Sequence, residues 1–335
     1  MNTLLLSVLT MLISNEYPMN ELNNTQQEHA VQTTTNPVEV GVVDWGRDID
    51  SALIESEELG RPLFVLFQEV PGCAGCQQFG QTVLTNPLLV EAIEDEFIPV
   101  LIHNNKPGQD QRTLERFNEP AWNYQVVRFL DHHSRDLIPR KDKVWTTAEL
   151  THRMVVALQA AKRPVPRYLQ ALAQEHDTDN HETVTLAMHC FWTGEYELGA
   201  IDGVITTEAG WLDGSEVTKV VFDSTVISLE ELTTKASAAQ CADKVYTDSD
   251  PASNSTLSYR RSQERDQKKQ IQNWAGLKSI STLTEMQRTK INALWPTSRD
   301  QAYQWLSPRQ RRALAYANAA ANQNPAKDPA TDQDH

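Results

Sequence analysis

Apolar and polar positions along the chain repeat with two periods, one helical and one of strands. Residues 48–60 carry Ile49, Ala52, Leu53 and Ile54 at helical spacing after Trp45 and stop at Gly60, which predicts an amphipathic helix. Arg61-Pro62 then opens the unbroken apolar run Leu63-Phe64-Val65-Leu66-Phe67, the pattern of a strand covered on both faces. A helix is expected from Cys73 through Gln81, and another over 88–94 behind Asn86-Pro87. A second strand follows over 97–102 and a third over 122–130, the latter holding Val126-Val127-Arg128-Phe129-Leu130. Residues 150–174 form a long helical pattern interrupted at Pro164 and Pro166. Strands alternating with helices predict an α/β sheet for residues 38–175.

The His- and Asp-rich residues 175–182 mark a boundary. Beyond them the order is strand (183–188), helix from Cys190 to about Ile201, strand (203–207), strand (217–223) and helix (228–239), an α+β arrangement. Residues 242–262 are polar and expected to be a loop, and 283–314 hold two short helical patterns, the second starting at Ser307-Pro308. The organisation read from this is an apolar leader and polar linker (1–37), a first domain (38–175), a second domain with a helical C-terminal extension (183–315) and a disordered tail (316–335).

Composition narrows the function classes. The 335 residues are 40% hydrophobic and 22% charged, with a net charge of −15, so nucleic acid and anionic membranes are excluded as expected partners. No stretch reaches the length of a membrane-spanning helix. The apolar run Leu4-Leu5-Leu6-Ser7-Val8-Leu9 has the length of a signal-peptide core with the residues after it, but no Lys or Arg precedes it and no A-x-A site follows. It is read as an atypical signal or N-terminal anchor that sends the body to the periplasm or otherwise outside the cytoplasm; a short docked helix on a cytoplasmic protein is the alternative. Four cysteines, at 73, 76, 190 and 241, are too few for a disulfide scaffold and suit working thiols.

Cys73-Ala74-Gly75-Cys76 follows a buried strand and opens a helix. Unpaired N–H groups and the positive end of the helix favour a thiolate at Cys73, the expected nucleophile, and Cys76 one turn on is placed to close the disulfide. A structural disulfide or half of a zinc site would use the same spacing, although zinc needs a second ligand pair and His132-His133 is more simply a solvated turn. Trp45, the helix, the strand and the motif together resemble the start of a thioredoxin-like domain, and Val70-Pro71-Gly72-Cys73 resembles a V-P-G-C group of that fold. In thioredoxins a cis-proline precedes the third strand; here Gln125 precedes Val126 and Pro120 lies further back.

His189-Cys190-Phe191-Trp192-Thr193-Gly194-Glu195 again puts a cysteine at a strand-to-helix junction. The segment resembles the G-C-F-W-x-x-E signature of peptide methionine sulfoxide reductase A, and the order Gly203-Val204, Gly210-Trp211, Val220-Val221-Phe222-Asp223 and Glu230-Glu231-Leu232 agrees over residues 183–236. The resemblance implies a ferredoxin-like α+β domain. It also implies that Cys190 attacks a sulfoxide sulfur and becomes a sulfenic acid that a second thiol, Cys241, resolves. Phe191 and Trp192 would wall the methyl group. Trp211 stands where the family has a tyrosine, His189 replaces a glycine, and the segment from Gly210 to Glu216 is shortened. Glu195 or Glu216 would then supply the acid. A degenerate domain, with Cys190 a small hydrophobe, is the alternative. Tyr259-Arg260 matches the family's later Q-Y-R-S segment weakly.

The expected activity is thiol-dependent reduction of methionine sulfoxide in peptides or proteins, with Cys73 and Cys76 as internal reductant for Cys190. It needs a thiol reductant but no cofactor and no metal. The competing reading is a thiol-disulfide oxidoreductase whose second domain only binds. Trp295 and Trp305 are read as core anchors, and Arg260-Arg261 with Lys268-Lys269 as a solvated face.

Overall fold

A computed structural model describes residues 36–121, 125–247, 259–262, 276–277 and 280–323. The leader, and with it the expected signal, lies outside the described residues, as do Lys268-Lys269 and the tail beyond 323.

The first sheet is built on β1 (Leu63–Gln68), every residue of which is buried. It pairs in parallel with β2 (Ile98–His103) and antiparallel with β3 (Gln125–Leu130), which pairs with the two-residue β4 (Lys141–Asp142), giving the order β2-β1-β3-β4. Successive side chains of a strand point to opposite faces, and both faces of β1 are covered. Phe64 and Leu66 join Val127 and Phe129 in one core, while Leu63, Val65 and Phe67 join Ile49 and Leu114 in another. That double burial is why the strand reads as a continuous apolar run.

Six helices accompany this sheet. Asp48 caps α1 (Ile49–Leu59) by accepting from the Ser51 N–H, and Gly60 in the left-handed region ends it. The helix α2 (Ala74–Thr82) starts at Cys73. Asn86 accepts from the N–H groups of Leu88 and Leu89 to start α3 (Pro87–Glu96). The pattern over 150–174 resolves into α5 (Thr147–Ala160) and α6 (Arg167–His176), because Pro164 and Pro166 cannot donate in a helix ladder. The fourth helix, α4 (Gln109–Arg116), was not expected from periodicity: its eight residues bury only Asp110, Thr113 and Leu114.

After a 3-10 turn at Thr178–Asn180, the second sheet begins with β5 (His181–Ala187). It continues through α7 (Phe191–Gly199), β6 (Val204–Leu212), β7 (Ser215–Asp223), α8 (Leu229–Ala238) and β8 (Lys244–Thr247). The strand order β8-β5-β7-β6-β9, with β9 (Arg260–Arg261) at the edge, places β7 between β5 and β6. This is a split β-α-β arrangement. Asp213 and Gly214, both at positive φ (51° and 77°), close the β6–β7 hairpin, a geometry that favours Asp-Gly. The expected loop over 242–262 is corrected here: Lys244–Thr247 pairs with β5 and Arg260–Arg261 with β6. Short edge strands carry too few apolar residues to be seen from pattern alone.

Three C-terminal helices follow, α9 (Glu285–Leu294), α10 (Arg299–Tyr303) and α11 (Pro308–Gln323). The expectation of a disordered tail from residue 316 is corrected by α11, an Ala-rich helix that runs on through Gln323. Trp295 and Trp305 pack against the core of this region, as anchors.

Candidate functional site

The dithiol lies where β1 hands over to α2. Cys73 Sγ and Cys76 Sγ are 3.3 Å apart, Cys76 is fully buried and Cys73 half-buried. Burial opposes ionisation of Cys73. The Cys76 backbone N–H, the Cys76 thiol and the Gly75 N–H outweigh it and hold the pKa below the ordinary thiol value. Burial, together with the Cys73 thiol and charge, pushes Cys76 up to about 12. One thiol is therefore accessible and acidic, and its partner is sheltered.

Residues remote in sequence hold this loop. The buried Glu39 accepts from the Gly72 N–H at 2.9 Å, and its backbone carbonyl accepts from Gln68 Nε2 at 2.9 Å. Gln68 Nε2 also reaches the Cys76 carbonyl at 3.4 Å. Asn105 brackets Val70-Pro71, accepting from the Val70 N–H and donating to the Pro71 carbonyl, both at 3.3 Å. Trp145 stands edge-on to Phe79, and a Cβ built on Gly75 would lie 3.6 Å from the Trp145 ring and 3.8 Å from Cys73 Sγ. Nothing in local pattern marks Glu39, Asn105 or Trp145, since each acts across 29 or more positions. Among the described residues the cis peptide is Val70–Pro71, and Gln125 at the start of β3 is fully buried.

The second constellation gathers at one end of the second sheet: the end of β5, the start of α7, the end of β6 and the start of β7. Cys190 is the N-cap of α7, half-buried, with extended backbone (φ −144°, ψ 115°). Glu216 Oε2 accepts from the Phe191 N–H at 2.9 Å, and Thr218 Oγ donates to the Phe191 carbonyl at 3.2 Å. Phe191 is buried and meets Trp211 at a ring distance of 5.7 Å and Trp192 at 6.4 Å, both edge-on. Gly194 is required by close approach: a Cβ there would sit 2.2 Å from Met188 Sδ and 2.3 Å from Thr218 Oγ. Glu195, one turn beyond Cys190, is fully buried.

Cys241 follows α8 and is also fully buried, in the apolar cluster of Leu186, Met188 and Leu232. Burial pushes its thiol up to about 11, with Glu197, Cys190 and Asp243 adding to the shift, so Cys190 lies within electrostatic reach. The structure thus brings Phe191, Trp192, Trp211 and Glu216 together next to Cys190, while Glu195 and Cys241 are fully buried. Tyr259, anchored by the pairing of β9 with β6, covers Gly210 and donates its hydroxyl to Glu208 at 2.6 Å. The His132 and His133 rings are tilted at 51° to each other with centroids 3.9 Å apart. No group of three or more potential metal ligands occurs among the described residues.

Residues 44–131 match a family described as Thioredoxin-like. The peptide methionine sulfoxide reductase MsrA of Methanococcus maripaludis (strain C7) is 34% identical over 70 residues, 16% of this chain and 45% of the relative. The chain therefore spans less than half the length of that curated relative. Among solved structures, the oxidoreductase DsbH aligns with a TM-score of 0.31 and 16% identity, over 38% of this chain and 92% of that one. This chain carries a thioredoxin-like domain over residues 44–131, and a part of it is similar to peptide methionine sulfoxide reductase A.

Proposed function

We propose that the chain reduces methionine sulfoxide in peptides or proteins at Cys190, with Cys73 and Cys76 returning the electrons. The observation that carries this reading is the Glu216 carboxylate at 2.9 Å from the N–H that directly follows Cys190, beside the aromatic wall of Phe191, Trp192 and Trp211. A carboxyl group there is placed to pass a proton to an oxygen bound next to the sulfur.

In the proposed sequence the Cys190 thiolate attacks the sulfoxide sulfur while the sulfoxide oxygen gains a proton from Glu216, and the oxygen then passes to the Cys190 sulfur as its bond to the substrate sulfur breaks. Thioether leaves, and Cys190 becomes a sulfenic acid. The Cys241 thiol condenses with it, forming the S–S bond and releasing water. The Cys73 thiolate attacks that disulfide, Cys76 displaces the resulting mixed disulfide, and two electrons pass from the first dithiol to the second. Glu195, buried under the first turn of α7, is assigned to holding the site, and Trp211 to its apolar wall. The apolar leader extends the proposal to a location outside the cytoplasm.

A second reading, a thiol-disulfide oxidoreductase whose later part only binds, is favoured by the full burial of Cys241. Purified full-length protein given a methionine sulfoxide peptide and dithiothreitol separates them. Thioether formation that is lost in Cys190→Ser supports the reductase; no turnover with an active Cys73–Cys76 dithiol supports the alternative.

A further inference from the structure

The C-terminal helices touch both redox parts, and they do so unequally. Against the second part the fit is close. A Cβ on Gly199 would lie 3.3 Å from Ala293 and Thr289, so α7 and α9 approach at backbone distance. The buried Lys290 donates to the carbonyls of Gly199 and Ile201 at 3.0 and 2.8 Å, satisfying the open end of α7.

Against the thioredoxin-like part, Ala171 of α6 clusters with Met286 and the Arg167 guanidinium lies over the Trp305 ring, and two carboxylates cap helix starts. Glu175, at the end of α6, accepts from the Met286 N–H at 3.0 Å at the start of α9. Glu91 on α3 accepts from Ser307 Oγ at 2.6 Å and from the Arg309 N–H at 2.7 Å at the start of α11. Arg309 adds ion pairs to Glu94 and Asp95. The seam between α3 and α11 is loosely filled: a cleft of about 480 Å³ runs along it, lined by Val42, Val90, Ile280 and Ala313 among others. Among the described residues, the groups acting on Cys73 are Glu69, Gly75 and Cys76, with Trp145 alongside, and those at Cys190 are Phe191, Glu216 and Cys241, two sets with no member in common.

We infer that the C-terminal helices are a strap carried by the second part and latched to the first through Glu91, and that thiol exchange between the two sites requires the latch to open. The Glu175 contact lies directly before the 3-10 turn Thr178–Asn180 that joins the two parts, so it sits at the pivot. The Glu91 contact is distant in sequence from that pivot, polar, and beside the cleft, so it is the one to part. When it does, the Cys73 thiolate bonds to one sulfur of a Cys190–Cys241 disulfide and the other sulfur leaves as a thiolate that takes a proton from water. This rests on the internal-reductant reading above.

The test uses the full chain with Cys76→Ser, which stops exchange at the mixed disulfide. After oxidation of Cys190 and Cys241 by hydrogen peroxide, the rate at which Cys73 becomes linked to the second part is followed by peptide mapping. Ser307→Ala, which deletes one latch bond, or Glu91→Gln, which weakens both bonds to Glu91, should speed linkage roughly five- to tenfold, the scale of one lost hydrogen bond. The rate should not depend on protein concentration, and Cys73 alkylation should stay unchanged. Equal or slower linkage overturns the latch. Failure to form any Cys190–Cys241 bond overturns instead the reductase reading, and a second measurement then decides on the strap. Spin labels at Gln81 and Lys235, introduced as unnatural amino acids, should give one narrow distance in the parent and a broadened one in Ser307→Ala. An unaltered distribution overturns the strap whatever the thiols do.

Discussion

Glu216 and Phe191 meet through a 2.9 Å hydrogen bond from the Phe191 backbone N–H to the Glu216 carboxylate, which ties the start of β7 to the first turn of α7. The residue before Phe191 is Cys190, so the Glu216 side chain caps the helix that begins directly after the proposed nucleophile. Glu216→Gln keeps an acceptor for that N–H and removes the proton. Sulfoxide turnover should fall about 10²-fold, the usual contribution of a positioned acid, with Cys190 alkylation nearly unchanged. Full turnover in Glu216→Gln would remove Glu216 from the chemistry.

The first dithiol should be labelled in a fixed order. Cys73 is half-buried and held below the ordinary thiol pKa, whereas Cys76 is fully buried and pushed up to about 12. Limiting iodoacetamide on the reduced protein near pH 7 should modify Cys73 well before Cys76, as peptide mass mapping would record. Equal labelling contradicts the assignment of nucleophile and partner.

Gly194 should accept no side chain without movement of α7. The added methyl of Gly194→Ala meets Met188 Sδ and Thr218 Oγ well inside van der Waals contact. Overpacking of this kind costs about 1–3 kcal/mol. The variant should unfold at lower urea concentration and lose sulfoxide reduction, because the Phe191–Glu216 contact shifts, while the Cys73–Cys76 dithiol still reduces small disulfides. Parent-like stability would show that the first turn of α7 has room the packing denies.

How much of this was legible follows from where each signal resides. β1 and β2, the dithiol at the start of α2 and the Cys190 junction are written in consecutive residues, through apolar runs and motif spacing. The matched strands β6 and β7 were found only in their most apolar stretches, because their outer ends carry Glu208, Trp211, Ser215 and Glu216. Helix α4, with three buried positions, and the edge strands β8 and β9 have too little pattern to find. The residues that brace the sites, Glu39, Asn105 and Trp145 at the dithiol and Ser307 against Glu91, depend on contacts spanning up to 216 positions, which periodicity cannot register. Trp211 is expected where the family has a tyrosine at the sulfoxide, and its edge-on packing against Phe191 is a contact that spacing does not register.

Lys290 offers a test of the seam between α7 and α9 that does not involve thiols. Its ammonium is buried against the last carbonyls of α7, and burial brings its pKa down to about 8, with Asp202 working in the other direction. In the unfolded chain a lysine titrates near its ordinary value of about 10.4. Below pH 8 both states carry the proton, and the native state bears the full cost of burying the charge. Between about pH 8 and 10.4 the unfolded chain binds more protons than the native one, so stability rises with pH across that window. A shift of this size corresponds to roughly 3 kcal/mol when complete. Lys290→Met has no proton to lose and also lacks the two carbonyl hydrogen bonds, so it serves as the reference. The unfolding free energy of the parent minus that of Lys290→Met, from urea titrations at pH 7 to 10.5, should climb through the window as other titrating groups cancel. A difference that stays flat, or falls, would mean that the ammonium is hydrated in solution and that α9 does not seal the end of α7.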